Sequence, residues 1–100
     1  MGLSEENILQ TIFGAVEEVN KMLPEDRRLR KLPNTVLLGD RGNLDSLEVI
    51  NFIVELEGRI KKNFNLTLNL IELLDLPEKP MESIGGLAKF IKERANGEAL

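Results

Sequence analysis

The side chains available for chemistry in this 100-residue chain are carboxylates, lysines, arginines and hydroxyls, because cysteine and histidine are both absent. Their absence excludes disulfides, thiolate chemistry and histidine zinc sites, and it removes the commonest general base near neutral pH. None of the remaining groups stands in a pairing typical of a catalytic site. We therefore expect a protein that is not an enzyme.

The tetrapeptide Leu44-Asp45-Ser46-Leu47 is the most informative short motif in the sequence. By itself it is typical of an ordinary helix start, because Asp and Ser are preferred N-cap residues. The neighbouring sequence makes the tetrapeptide more significant. A segment of turn residues, 39–43, precedes the tetrapeptide, and a helical pattern with two apolar faces follows. The motif therefore places a serine at the beginning of an unusual helix.

The helix predicted over residues 45–63 carries more apolar surface than a simple surface helix needs. Its first stripe is sufficient to meet the core and consists of Val49, Phe52, Ile53, Leu56 and Ile60, continuing to Phe64. Leu47, Ile50 and Val54 form a second stripe on a different face. Two interpretations remain open. Either the helix is central and buries both stripes, or the second stripe is an exposed patch that marks a partner site, flanked by Asn51, Glu55, Glu57 and Gly58.

The whole pattern predicts a single all-α domain over residues 1–100, a small four-helix bundle of three main helices and one short helix. The predicted elements are a helix over about 4–23, a long first loop over 24–44, the helix over about 45–63, a short helix over about 69–75 and a helix over about 83–95. Ser4 and Ser83 are the predicted N-caps of the first and last helices. The apolar stripe of the first helix includes Met22 and ends before Pro24, and Gly85 and Gly86 weaken the start of the last helix. We expect four apolar residues to anchor the loop, namely Leu32, Val36, Leu37 and Leu38.

The charge balance limits the partners that the chain can have. Its formal net charge is −4 and its pI is about 4.9. An acidic domain is a poor candidate for nucleic-acid binding, which depends on neutralising phosphates, and it suits proteins with basic patches. The first residues lack the basic start and apolar run of a signal peptide, Glu6 breaks the myristoylation pattern, and no apolar run reaches membrane-spanning length. The expectation is a cytoplasmic protein with no nucleic-acid and no membrane partner.

Over about residues 8–90, the chain resembles the acyl carrier protein family. The resemblance is most specific over residues 42–64, where Asp45-Ser46-Leu47 matches the Asp-Ser-Leu attachment signature of the family and residues 49–57 resemble the helix that follows it. It implies that Ser46 carries 4′-phosphopantetheine through a phosphodiester, with Asp45 and Leu47 as adjoining site residues. The partner-recognition positions that it implies are Leu47, Glu48, Ile50, Asn51, Val54 and Glu57.

A carrier of this family holds acyl intermediates as thioesters on its arm and presents them to enzymes of a fatty-acid, polyketide or related pathway. The resemblance implies a monomer whose partners are a phosphopantetheinyl transferase (a holo-carrier synthase) and the enzymes of acyl loading and acyl transfer. The residues are compatible with this role, because a chain without cysteine needs a thiol from a cofactor and a helix N-terminus favours a phosphate. Gly58, the cations Arg59, Lys61 and Lys62, and the basic balance of residues 25–31 depart from the usual pattern of the family, which disfavours a role in general fatty-acid synthesis. The Leu-Asp-Ser start and the long loop resemble stand-alone carriers of specialised pathways.

Two alternatives remain at this stage. The cargo of the carrier could be a peptidyl or aminoacyl group, for example one like D-alanine. In a different class, the chain could be a non-catalytic helical interaction module that uses Leu47, Ile50 and Val54 and carries no prosthetic group.

Overall fold

Three α-helices build the part of the chain that the computed structural model describes, residues 4–36, 45–70 and 83–97. They are α1 (Glu5–Asn20), α2 (Ser46–Phe64) and α3 (Ile84–Gly97), with a 3-10 turn at Glu25–Arg27. Within these ranges the only extended pairing is an isolated bridge between Val36 and Ser83. The all-helical prediction is thus confirmed. The predicted short helix over 69–75 falls, after Leu70, outside the described residues.

The first helix begins where the sequence predicted and ends three residues earlier. The Ser4 hydroxyl accepts a hydrogen bond from the Asn7 N–H at 3.1 Å, the expected N-cap contact. After Asn20 the chain tightens, and the N–H groups of residues 21–23 bond to carbonyls three residues back. Met22, predicted to belong to the buried stripe, is 62% exposed, because the tighter turn rotates it out of the helical repeat.

The segment after α1 is held by polar contacts that its sequence did not indicate. The Asn20 side chain accepts a hydrogen bond from the Leu29 N–H at 2.8 Å and donates one to the Leu29 carbonyl at 3.0 Å. This pairing directs Leu29 into the core, where it is 4% exposed. Leu32, predicted as an anchor, is 46% exposed, so that prediction was wrong. Val36 is half-buried, and Leu37 and Leu38 lie outside the described residues.

The start of α3 is built against the end of the same segment. The Ser83 hydroxyl accepts from the Gly86 N–H at 3.0 Å, which confirms Ser83 as the cap. The Gly85 N–H donates to the Pro33 carbonyl oxygen at 2.6 Å, and a β-carbon on Gly85 would lie 3.0 Å from that oxygen. The glycine that weakens the helix by propensity therefore permits a close backbone approach.

Among the described residues the core is almost entirely aliphatic, with Phe52 as its one aromatic side chain. Helix α1 packs against both α2 and α3. From α2 the core takes the first predicted stripe: its five residues from Val49 to Ile60 are buried, and Phe64 is half-buried and packs against the core. The side chains of Leu23, Leu29 and Leu70 and the inner faces of α1 and α3 complete it. The position of α2 in this core determines which of its residues face outward.

Candidate functional site

The N-terminus of α2 is closed by Asp45. Its carboxylate Oδ1 accepts a hydrogen bond from the Glu48 N–H at 2.8 Å, and the Glu48 Oε1 accepts from the Asp45 N–H at 3.0 Å. This reciprocal pair is a capping box and satisfies two N–H groups at the helix start. Ser46 is therefore the first residue of the helix and not its cap.

The three serines of the chain each stand at the beginning of a helix, but they differ in their use. The hydroxyls of Ser4 and Ser83 accept hydrogen bonds from backbone N–H groups of α1 and α3. In α2 the aspartate before the serine takes that position. The capping of α2 consequently does not depend on Ser46.

Arg27, which sequence reasoning missed, connects the 3-10 turn to the start of α2. Its guanidinium Nη2 lies 2.6 Å from the Glu48 Oε1, the same oxygen that closes the capping box. This contact crosses 21 residues of sequence, so no helical spacing could have indicated it. The only feature of the sequence that pointed to this contact was the high density of charged residues over 25–31, and that feature does not indicate which residue Arg27 contacts.

The second apolar stripe of α2 is exposed. Leu47 is 67% exposed, Ile50 42% and Val54 57%, while Asn51 between them is also exposed. At about 100° of rotation per residue, these positions lie roughly opposite the buried stripe. The interpretation in which α2 buries both stripes is thus wrong. We call Leu47, Ile50 and Val54 the apolar patch.

The three glutamates near the patch are all half-buried and engaged within the chain. Glu48 pairs with Arg27, as described above. Glu55 accepts a hydrogen bond from the Arg59 Nε at 2.7 Å, and Glu57 accepts one from the Leu70 N–H at 2.6 Å. Of the implied recognition residues, Leu47, Ile50, Asn51 and Val54 thus share one exposed surface, whereas Glu48 and Glu57 stabilise the fold at its borders.

Beyond the patch, the same face of α2 becomes concave and then basic. Gly58 is exposed, and a β-carbon there would meet nothing within 4 Å. A shallow groove of about 320 Å³ lies at this point, lined by Val54, Glu55, Gly58, Arg59, Lys62 and Asn63. Lys61 and Lys62 follow and are exposed. We call the surface from Leu47 to Lys62 that faces away from the core the outer face of α2.

Other features of the described residues add no second site. A groove of about 240 Å³ lies beside α3, where the Arg94 guanidinium stacks 4.9 Å from the centre of the Phe90 ring. Among the residues described, no three acidic side chains converge as a metal site, and no helix is long and apolar enough to cross a membrane. Comparison with protein-family models, with curated proteins and with solved structures finds no match to this chain.

Proposed function

We propose that this chain is a phosphopantetheine-dependent acyl carrier in which Ser46 is the attachment residue. One observation carries the proposal: a serine that the helix does not need as its cap begins α2 directly beside an exposed apolar patch. Exposed aliphatic residues grouped on one helix face are typical of a binding surface. Their position next to the proposed attachment residue is what a carrier requires, because partner enzymes must grip the protein close to the arm.

The residues around Ser46 are compatible with 4′-phosphopantetheine. Asp45 and Leu47, the residues on either side of Ser46 in the sequence, are both exposed. The capping box uses two N–H groups at the start of α2, and the positive end of the helix dipole there still favours an anion such as the phosphodiester. Asp45 and Glu48 both add negative charge nearby, and the Arg27 guanidinium, 2.6 Å from the Glu48 Oε1, offsets that of Glu48.

The chain itself supplies a rigid platform in this proposal. When attached, 4′-phosphopantetheine supplies a terminal thiol that holds an acyl group as a thioester. Asp45 and Glu48 hold the first turn of α2, while Arg27 ties that turn to the segment after α1. A flexible arm on a fixed helix end raises the effective concentration of its cargo at each docked enzyme.

The direct test is the intact mass of the protein after incubation with coenzyme A and a phosphopantetheinyl transferase of broad specificity. The Ser46 oxygen forms the new bond to phosphorus, the pyrophosphate bond of coenzyme A breaks, adenosine bisphosphate leaves, and the hydroxyl proton is released. We expect the mass of one phosphopantetheine on the wild type and none on Ser46→Ala.

Ser4→Ala and Ser83→Ala are the matched controls, and both should be modified like the wild type. Each of them loses a cap worth about 1 kcal/mol, whereas Ser46→Ala leaves the Asp45 cap in place and should unfold at the wild-type midpoint. Modification of Ser46→Ala, or no modification of the folded wild type, refutes the proposal.

The exposed patch also favours a second candidate, a helical interaction module without a prosthetic group. Both candidates use the apolar patch, so loss of binding on its substitution does not separate them. The mass experiment does, because only a carrier gains phosphopantetheine.

A further inference from the structure

The charges along the outer face of α2 are unevenly distributed. Asp45 is the exposed acid at the end that begins with Leu47, and Lys61 and Lys62 are exposed at the other end. At 1.5 Å of rise per residue, about 20 Å separate Leu47 from the lysines. The face is therefore apolar beside the proposed arm and cationic at its far end.

The acids that border the face do not neutralise the two lysines. Glu55 is occupied by Arg59, which also lies 3.5 Å from Glu18 of α1. Glu57 is turned toward the Leu70 N–H. Among the described residues, no carboxylate lies within ion-pair distance of Lys61 or Lys62. The described ranges contain equal numbers of acidic and basic residues, so the acidic excess of the chain comes from the rest of the sequence.

We propose that the outer face of α2 docks onto a partner protein that presents an apolar groove ending in carboxylates. The groove receives the apolar patch, and the carboxylates pair with Lys61 and Lys62. This inference rests on the proposed function, since it orients the partner with its acidic end about 20 Å from the residue that carries the arm. It also departs from the basic partner that the net charge of −4 alone suggested.

The size and composition of the face favour a protein partner that binds transiently. Three aliphatic side chains and two lysines on one helix cover far less than the roughly 800 Å² per partner of a standard stable interface, which disfavours a permanent dimer of this chain. Anionic lipid is typically recognised by about four to eight basic residues, and this face has two. The groove at Gly58 leaves room for a side chain of the partner between the apolar patch and the two lysines.

The test uses two synthetic amphipathic peptides of about 18 residues, matching the length of the face. Both have the same leucine stripe, and one ends in three glutamates where the other ends in three lysines. Binding to the full chain is followed by two-dimensional amide NMR. We expect the glutamate peptide to shift the amides of α2, and a nitroxide at its acidic end to broaden Lys61 and Lys62 more than Leu47.

Charge-reversal variants then test whether Lys61 and Lys62 are the residues that pair with the carboxylates of the peptide. The double variant Lys61→Glu with Lys62→Glu should bind the glutamate peptide on the order of tenfold more weakly than the wild type and should bind the lysine peptide more tightly. Lys89→Glu with Lys92→Glu in α3 makes the same change of net charge and should leave both affinities within about twofold of the wild type. Equal binding of the two peptides, no binding of either, or equal effects of the two double variants overturns the proposal.

Two further arms separate other occupants from the proposed one. Binding to phosphatidylcholine vesicles that contain one third phosphatidylserine, if lost on reversal of Lys61 and Lys62, would assign the face to a lipid surface and overturn the proposal. Sedimentation as a dimer that Val54→Asp dissociates would assign it to a second copy and overturn it as well. Ser46→Ala should bind the glutamate peptide like the wild type, so failure of the carrier assignment and failure of the docking proposal are distinguishable.

Discussion

The two faces of α2 should respond in opposite ways to truncation of their side chains. The perturbation is a set of four single variants: Leu56→Ala and Ile53→Ala on the buried face, and Ile50→Ala and Val54→Ala in the apolar patch. All four remove aliphatic carbons from the same helix. Ile53→Ala and Ile50→Ala remove the same atoms, so the difference between these two variants measures the effect of burial.

The expected free energies follow from the exposure of each side chain. Leu56 and Ile53 are completely buried, and truncation to Ala at such sites costs about 2–5 kcal/mol through lost burial and the cavity left behind. Val54 is 57% exposed, so its change should stay within about 0.5 kcal/mol of the wild type, because Ala also has the higher helix propensity. Ile50, at 42% exposure, should lose up to about 1 kcal/mol.

The assay is urea unfolding followed by circular dichroism, with the denaturant slope compared among variants so that a shifted midpoint can be read as a change in stability. In parallel, the rate of Ser46 modification is measured for each folded variant. Ile50→Ala and Val54→Ala should slow modification at near-normal stability. If they destabilise as much as Leu56→Ala, the patch is part of the core and the docking argument is refuted.

Two further predictions concern glycines and acid stability. Gly58→Ala, with open space around it, should stabilise the protein by up to about 1 kcal/mol, whereas Gly85→Ala should destabilise it in the same urea titration, because its β-carbon would press on the Pro33 carbonyl. The hydrogen bond and charge of Lys31, 2.7 Å away, hold the pKa of the Glu17 carboxyl below its usual value. The stabilisation from this pair is therefore fully present above the pKa that Glu17 has in the unfolded chain. It is lost as the pH falls through the lower pKa that Glu17 has in the folded protein. Lys31→Gln should raise the Glu17 pKa in a carboxyl NMR titration, and an unchanged pKa would contradict the assignment.

Residue type and spacing alone predicted the local features of this protein. Serine and aspartate before apolar helical repeats predicted the starts of α1, α2 and α3, because capping depends on neighbours three residues away. The buried stripe of α2 followed from its spacing for the same reason. The motif Asp45-Ser46-Leu47 indicated the candidate site through its resemblance to the attachment signature of the carrier family, which needs no knowledge of the packing.

The tertiary structure decided what depends on distant parts of the chain. The exposure of the apolar patch was undecided by sequence, because a helix with two apolar stripes can be central or peripheral, and only the packing of α1 against one face excludes the other. The ion pair between Arg27 and Glu48 and the hydrogen bond from the Gly85 N–H to the Pro33 carbonyl were also undecided by sequence, because the partners in each contact are far apart along the chain. Such contacts depend on how the elements meet, which neither composition nor periodicity encodes. The tertiary structure also decided which charges a partner can reach on the outer face of α2. The three glutamates of α2 are held by contacts within the chain, whereas Lys61 and Lys62 are exposed.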